Sequence, residues 1–297
     1  MTLRPGDRPT RGAFVYTFGA CTYDLASRTH IMGILNVTPD SFSDGGEFLS
    51  VAKAVDRGLA MAEEGADFID VGGESTRPKG DAYGEGAEPV GLQEELDRVL
   101  PVIEALSRQI TLPISIDTYK AAVASRALAS GASIVNDISG FGFDPGMAAA
   151  VARAGATAVV MHIKGTPKTM QSNPVYEDLF GEIHAFLLGA VGNGELHGVR
   201  QMLVDPGIGF GKTAADNYRL LSGLSRFADL GYPVLAGPSR KSFLGLASGL
   251  PVRERLEASL AAATSAVLSG AHVVRVHDVR ATRRAVAVAD AVRTASR

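Results

Sequence analysis

Short apolar runs of strand length alternate along the chain with longer stretches in which apolar residues recur every three or four positions. The runs are IMGILNV (31–37), FIDVGGE (68–74), PISIDT (113–118), IVNDIS (134–139), AVVMHI (158–163), QMLVDP (201–206), PVLAGPS (233–239) and VVRVHDV (273–279). Helical periodicity fills the intervals at Ser50–Ala66, Leu92–Ser107, Lys120–Ala129, Tyr176–Leu188, Asn217–Leu230 and Arg253–Ser269, with Thr282–Thr294 closing the chain. Gly65, Gly131, Gly155, Gly231 and Gly270 each stand just before the next strand, where a glycine accepts the left-handed helix C-cap. Eight such βα units with no intervening linker predict an α/β fold, a single (β/α)8 TIM barrel domain over residues 1–297. Residues 14–30, FVYTFGACTYDLASRTH, read as an N-terminal hairpin closing the bottom of the barrel, and residues 1–13 as a flexible N-terminus. The alternative is an open doubly wound sheet, a fold that rarely keeps eight successive units.

Side chains alternate along a strand, and active sites of the barrel fold sit at the strands' C-terminal ends. Nearly every run ends in polar residues: Asn36, Asp70 with Glu74, Asp117, Asn136 with Asp137, His162, Asp205, Ser239 followed by Lys241, and Arg275 with His277. Met32, Ile34 and Asn36 share one face, so Asn36 rises above an apolar layer at the barrel mouth, and Arg275 and His277 share a face in the same way. A strand-end aspartate can equally cap the following helix, a reading that competes for Asp137 and Asp278. A whole ring of polar strand ends is more than capping requires.

Composition narrows the setting. With 46% hydrophobic and 21% charged residues the chain can bury a large core, and its net charge of -3 provides no basic field for nucleic acid. Any anionic ligand must be met by local cations. The single cysteine, Cys21, excludes an intramolecular disulfide and multi-cysteine metal sites, and suits a reducing cytoplasm. The N-terminal MTLRPGDRPTRG precedes no apolar stretch of signal or membrane-spanning length, so a cytoplasmic protein without a membrane partner is expected. Two loops over the predicted mouth, 37–46 and 75–89, are rich in turn formers and read as lids.

The segments LNVTPDSFSDGG, DVGGESTRP, ISIDT, IVNDISG, VMHIKGTPKTMQ, DPGIGFGKT, GPSRKSFLG and VRVHDV, in this order from Ile31 to Val279, together resemble the bacterial dihydropteroate synthases. The resemblance implies a (β/α)8 barrel, a homodimer, and transfer of a pterinylmethyl group. In that reaction para-aminobenzoate condenses with 6-hydroxymethyl-7,8-dihydropterin pyrophosphate, giving 7,8-dihydropteroate and pyrophosphate for folate biosynthesis. Sulfonamides would compete with para-aminobenzoate.

Residue by residue, the resemblance assigns pterin binding to Asp117, Asn136, Ile138, Met161, Asp205, Phe210, Gly237, Lys241 and Arg275. Chemistry supports several of these roles. The amino-pyrimidinone edge of a pterin presents two adjacent N–H donors, which a carboxylate such as Asp205 accepts as a bidentate pair. Ile138, Met161, Phe210 and the stem of Arg275 offer apolar surface to a flat ring. Arg275 and His277 are expected to supply positive charge to the pyrophosphate, and Asn36 to hold it together with a Mg²⁺ ion that keeps most of its waters. Phe42, Thr76, Arg77, Pro78 and Ser239 are the implied para-aminobenzoate residues. Asp117, Lys241, Arg275 and His277 carry the catalytic assignment, which is electrostatic, because a dissociative mechanism needs no protein nucleophile.

PGIGFGKT (206–213) imitates a phosphate-binding loop, but Pro206 stands where that motif needs its first glycine, so Lys212 either fixes the turn or reaches the pterin site. KGDAYGEG after Pro78 is longer than the family's turn, and Lys164 and Pro238 replace residues commoner there. Two other readings stay open: a methyltransferase acting on methyltetrahydrofolate with a similar pterin barrel, and a non-catalytic pterin-binding paralogue.

Overall fold

Runs rich in Val and Ile, residues that suit a pleated and buried surface, form the strands. The computed structural model describes residues 14–38, 47–75, 89–172 and 174–295. A hairpin of β1 (Val15–Phe18) and β2 (Cys21–Asp24) precedes eight parallel strands. These are β3 (His30–Asn36), β4 (Phe68–Gly72), β5 (Ile114–Asp117), β6 (Ile134–Asp137), β7 (Thr157–Met161), β8 (Met202–Asp205), β9 (Leu235–Ala236) and β10 (Val273–Val276). They pair in the order β8-β7-β6-β5-β4-β3-β10-β9. The Val204 amide donates to the Pro233 carbonyl at 3.0 Å, and this contact beside a parallel bridge from Val204 to Val234 brings β8 to β9, leaving a nearly closed barrel. Prolines at 233 and 238, which cannot donate to a ladder, keep β9 to two residues where a seven-residue run was expected.

Around the sheet lie α1 (Glu47–Glu63), α2 (Leu92–Ser107), α3 (Ala121–Ala129), α4 (Met147–Ala154), α5 (Leu179–Leu196), α6 (Ala214–Ser222), α7 (Ser242–Ser248), α8 (Leu256–Leu268) and α9 (Val279–Ala295). Two helices are additional to those read from periodicity. In α4 the sequence MAAAVARA gives little contrast between faces, and α7 is only seven residues long. The helix expected over 217–230 is broken at Gly223 into α6 and a 3₁₀ segment, Leu224–Leu230. The Phe180 ring crosses Gly223 so closely that a Cβ there would lie 2.5 Å from Cζ. Among the described residues no helix is long and apolar enough to cross a membrane.

The period-two alternation sorts the strand residues into two cores. Ile31, Leu35, Ile69, Val71, Val135, Val160 and Val274 face the helices. Their inward neighbours Met32, Phe68, Ile134, Val159, Leu203, Leu235 and Val273 cluster with Phe18 and Leu25 at the bottom. The hairpin is a plug, as the sequence suggests. Phe18 meets Phe68 edge to face at 5.0 Å, and the Gln201 amide bonds both the Thr17 N–H (2.7 Å) and the Thr17 carbonyl (3.0 Å). Because Phe18 is fully buried in this floor, Phe18→Ala is expected to cost about 3–5 kcal/mol in urea unfolding. A loss under about 1 kcal/mol would show that the hairpin is peripheral to the core.

Candidate active site

Register sets the upper layer of the barrel. Asn36 stands beside Gly72, Gly72 beside Asp117, Asp117 beside Asn136, and Met161 beside Asp205. With Ile138, Gly237, Lys241, Arg275 and His277 these residues surround one cavity of about 540 Å³, a size that suits a small ligand. Gly72 lies between Asn36 and Asp117, where a Cβ would make ordinary contacts with both side chains, 3.4 Å from Asp117 Cβ and 3.8 Å from Asn36 Oδ1. Phe42, Thr76, Arg77 and Pro78 lie outside the described residues, as does most of both predicted lids.

Beneath the cavity is an ionic layer. Arg275 Nε donates to Asp70 Oδ2 at 2.6 Å and Nη2 to Asp117 Oδ2 at 2.6 Å, while Asn136 Nδ2 donates to Asp70 Oδ2 at 3.1 Å. Asp70 is fully buried, and its Oδ1 has no hydrogen-bond partner. Burial pushes Asp117 up to about 7, against the pull of Arg275 and with added repulsion from Asp70. Burial works against the Arg275 cation, but the two carboxylates outweigh it and hold the guanidinium charged.

Asp205 is pushed up to about 6 by burial, restrained by the Gly207 N–H at 2.7 Å and by Lys241, Lys212 and Arg275. Lys241 is lowered to about 8 by burial and by Arg275, and its Nζ lies 4.0 Å from the centroid of the Phe210 ring. The turn before it is strained. Arg240 has φ 57° and is held there by bonds from Nε and Nη2 to Asp278 (3.0 and 2.6 Å) and from its N–H to Ser259 Oγ (2.9 Å). Asp278 therefore anchors this turn through its side chain.

His277 sits at the cavity mouth beside two arginines. Burial, with Arg240 and Arg275 nearby, lowers it to about 3, so in this structure it is a neutral hydrogen-bonding group and Arg275 alone of the pair is a cation. Its Nδ1 lies 3.0 Å from Ser239 Oγ, which also accepts the His277 N–H at 3.2 Å. Ser239 lines the cavity through this contact.

Other strand-end polar residues are tied into local structure, and of these Glu74 also lines the cavity. Asp137 accepts from Ser139 N–H (2.8 Å), Ser139 Oγ (2.7 Å) and Phe141 N–H (2.9 Å), a local turn. Glu74 is engaged by Tyr119 and Lys120 at 2.6 and 2.5 Å. Lys164 pairs with Glu182 at 3.0 Å. Sequence reasoning missed Asp70 as the partner of Arg275, and also Met170, Arg240, Ser242 and Arg255 in the cavity wall. Met170, Arg240 and Ser242 were visible only inside quoted motifs.

A barrel with this polar mouth is a small-molecule enzyme scaffold, and the comparisons give its class. The family model described as pterin binding enzyme matches residues 32–277. The chain belongs to the pterin-binding enzymes, within the dihydropteroate synthase group. It is 47% identical over 277 residues to the dihydropteroate synthase of Synechocystis, covering 92% of this chain and 93% of that one. The Yersinia pestis dihydropteroate synthase, solved as a sulfonamide drug complex, superposes with a TM-score of 0.87 at 42% identity, over 95% of this chain and 100% of that one. The Xanthomonas albilineans enzyme in complex with 7,8-dihydropteroate gives 0.82 at 43% identity, over 93% and 97%.

The buried ion pair makes an ordering of variants testable. Asp70→Asn leaves the guanidinium short of charge in a dry site, and is expected to cost about 3 kcal/mol in urea unfolding at neutral pH. Asp117→Asn should cost less, because Asp117 faces the cavity and water can replace it. Equal costs would place both carboxylates in the same solvent environment.

Proposed function

We propose that the chain joins para-aminobenzoate to 6-hydroxymethyl-7,8-dihydropterin pyrophosphate, releasing pyrophosphate and forming 7,8-dihydropteroate. One observation carries this reading: acceptors Asp117 and Asp205, the Asn136 amide, and cations Lys241 and Arg275 converge in one cavity beside an apolar wall of Ile138, Met161 and Phe210. The ligands named for the Yersinia and Xanthomonas enzymes support it. In this reading Asp205 accepts the two N–H donors of the pterin's amino-pyrimidinone edge. Asn136 and Asp117 meet the remaining ring positions, and Lys241 donates to the ring oxygen and nitrogen.

The reaction separates charge. The bond from the methylene carbon to the pyrophosphate oxygen breaks with its electron pair going to pyrophosphate. The amine of para-aminobenzoate then forms the C–N bond and gives up a proton. Arg275 and the N–H groups at the mouth, His277 among them, stabilise the leaving anion, and the pterin pocket holds the developing cation beside Asp117. Ser239 is assigned to the para-aminobenzoate side together with Phe42, Thr76, Arg77 and Pro78.

Mg²⁺ fits this site as a companion of the pyrophosphate. No cluster of three or more His, Cys, Asp or Glu able to hold a metal exists among the described residues, whereas Asn36 is an exposed amide at the cavity edge. One protein oxygen, substrate oxygens and retained waters suit Mg²⁺, which would neutralise charge on the leaving group. We further infer a homodimer, supported by exposed Leu246 on α7 and Val288 and Val292 one turn apart on α9. A cytoplasmic setting agrees with the free Cys21.

The test is pyrophosphate release from the pterin pyrophosphate, with and without para-aminobenzoate. Release that depends on para-aminobenzoate is expected, and ligand binding without turnover would indicate a non-catalytic pterin binder. Asp205→Asn, which turns one acceptor oxygen into a donor, should weaken pterin binding at least about a hundredfold while the protein melts like its parent. Unchanged affinity would remove Asp205 from the site.

A further inference from the structure

The turn between β8 and α6 carries a buried ammonium that the proposed chemistry does not use. Lys212 is 3% exposed and is not part of the cavity wall. Its Nζ donates to the Phe210 carbonyl at 2.9 Å and lies 2.9 Å from His162 Nδ1 at the end of β7. Burial lowers Lys212 to about 7, and burial with Lys212 and Lys164 nearby lowers His162 to about 2. The imidazole is therefore the neutral acceptor and the amine holds the proton. A buried ammonium costs far more than an apolar side chain of the same length would, so its presence calls for a role.

The turn it ties is the one that presents the pterin residues. The His162 N–H donates to the Asp205 carbonyl at 3.0 Å, the Gly207 N–H to Asp205 Oδ1, and the Phe210 N–H to the Gly207 carbonyl at 3.0 Å. Gly207, at φ 70°, passes so close to the His162 carbonyl that a Cβ would overlap it. Lys212 thus ties Phe210 to the end of β7 from behind the cavity, within electrostatic reach of Asp205.

We propose that Lys212 is a positioning residue for pterin recognition, pinning the 206–213 turn to His162 and serving as a counter-charge for Asp205 where the amine is protonated. The proposal rests on the reading of Asp205 as the acceptor of the pterin's amino edge. Asp205 also faces Lys241 and Arg275. Lys241 is assigned to the ligand and Arg275 is shared with Asp70 and Asp117, whereas Lys212 stays out of ligand reach. The remaining charges around Lys212 are Asp216, Lys164 and Lys241.

The pH dependence follows. Asp205 must be ionised to accept two donors, so affinity is full above its pKa and falls as pH drops through about 6. Lys212 carries its proton in that range, and removing it raises the Asp205 pKa and moves the fall to higher pH. Asp117 titrates nearby, but the charges facing it are Arg275, Asp70, Glu95 and Lys241, so its share is common to parent and variant.

Lys212→Met and Lys212→Gln in the full chain test this by calorimetric binding of 6-hydroxymethyl-7,8-dihydropterin pyrophosphate across the acid range, with kcat and KM measured alongside. Lys212→Met should lose about tenfold in affinity just below neutral pH, where the amine is protonated and Asp205 still ionised, the size of one charged hydrogen bond. Lys212→Gln keeps a donor and should recover part of that loss, yet share the upward shift of the acid limb. KM should rise more than kcat falls. If the Met variant fails to fold, the Gln variant alone decides through its acid limb. Parent-like affinity and an unshifted limb in the folded variants would overturn the proposal and leave Lys212 a packing residue. A parent chain that does not bind the pterin would overturn the functional reading first, and this one with it.

Discussion

A guanidinium inside a β-barrel must be surrounded by compensating charge, and the site is organised around how Arg275 obtains it. Asp70 from β4 and Asp117 from β5 each accept one of its N–H groups at 2.6 Å. A buried ion pair of this kind is no better for stability than well-packed apolar residues, because desolvation cancels most of the attraction. It can persist only where water is kept from one side and geometry is fixed on the other. The floor of Phe18, Met32, Phe68, Ile134 and Val159 supplies the first condition, and strand register supplies the second. The cavity opens directly above this layer, so the charges that line it are held by the same bonds that hold the barrel's interior together.

The loops follow the same division between fixed and strained parts. Lys241 enters the cavity because Arg240 before it adopts a left-handed backbone that its bonds to Asp278 and Ser259 stabilise. Asp205 is aimed by the turn that begins at Gly207. In both places a polar contact beside the cavity sets the direction of a group inside it, so the aim of the lining groups depends on the bonds of the loops that carry them.

Much of this was legible in the chain. Alternation of apolar residues located all eight strands, and the polar residue at the top of the inward face identified Asn36, Asp117, Asn136, Asp205 and Arg275 as neighbours. Height within the barrel was not legible. Asp70 and Glu74 look equivalent as strand-end acids, yet the register puts Asp70 in the dry ionic layer and leaves Glu74 beyond the strand, bound to Tyr119 and Lys120. Nor could pattern reveal the charge state of His277, since its burial and the approach of Arg240 from the preceding βα unit are set by the fold. Helix α4 was lost because alanine carries no periodic contrast, and the break at Gly223 because it is imposed by a ring from another helix.

The balance of charge explains how such a site can serve a reaction that generates opposite charges. The carboxylates Asp70, Asp117 and Asp205 are interleaved with the cations Arg275, Lys241 and, behind the cavity wall, Lys212, and the repulsion of Asp117 by Asp70 and Glu95 adds to burial in raising it. In the proposed reaction the cation develops on the pterin, beside the carboxylates, while the anion leaves toward the mouth, where His277 and Asn36 offer neutral polar groups. Before the anion forms, burial and the neighbouring cations keep His277 neutral. In the proposed reaction the charge developing on pyrophosphate would offset those cations and favour the imidazolium, so the donor strengthens as the anion forms.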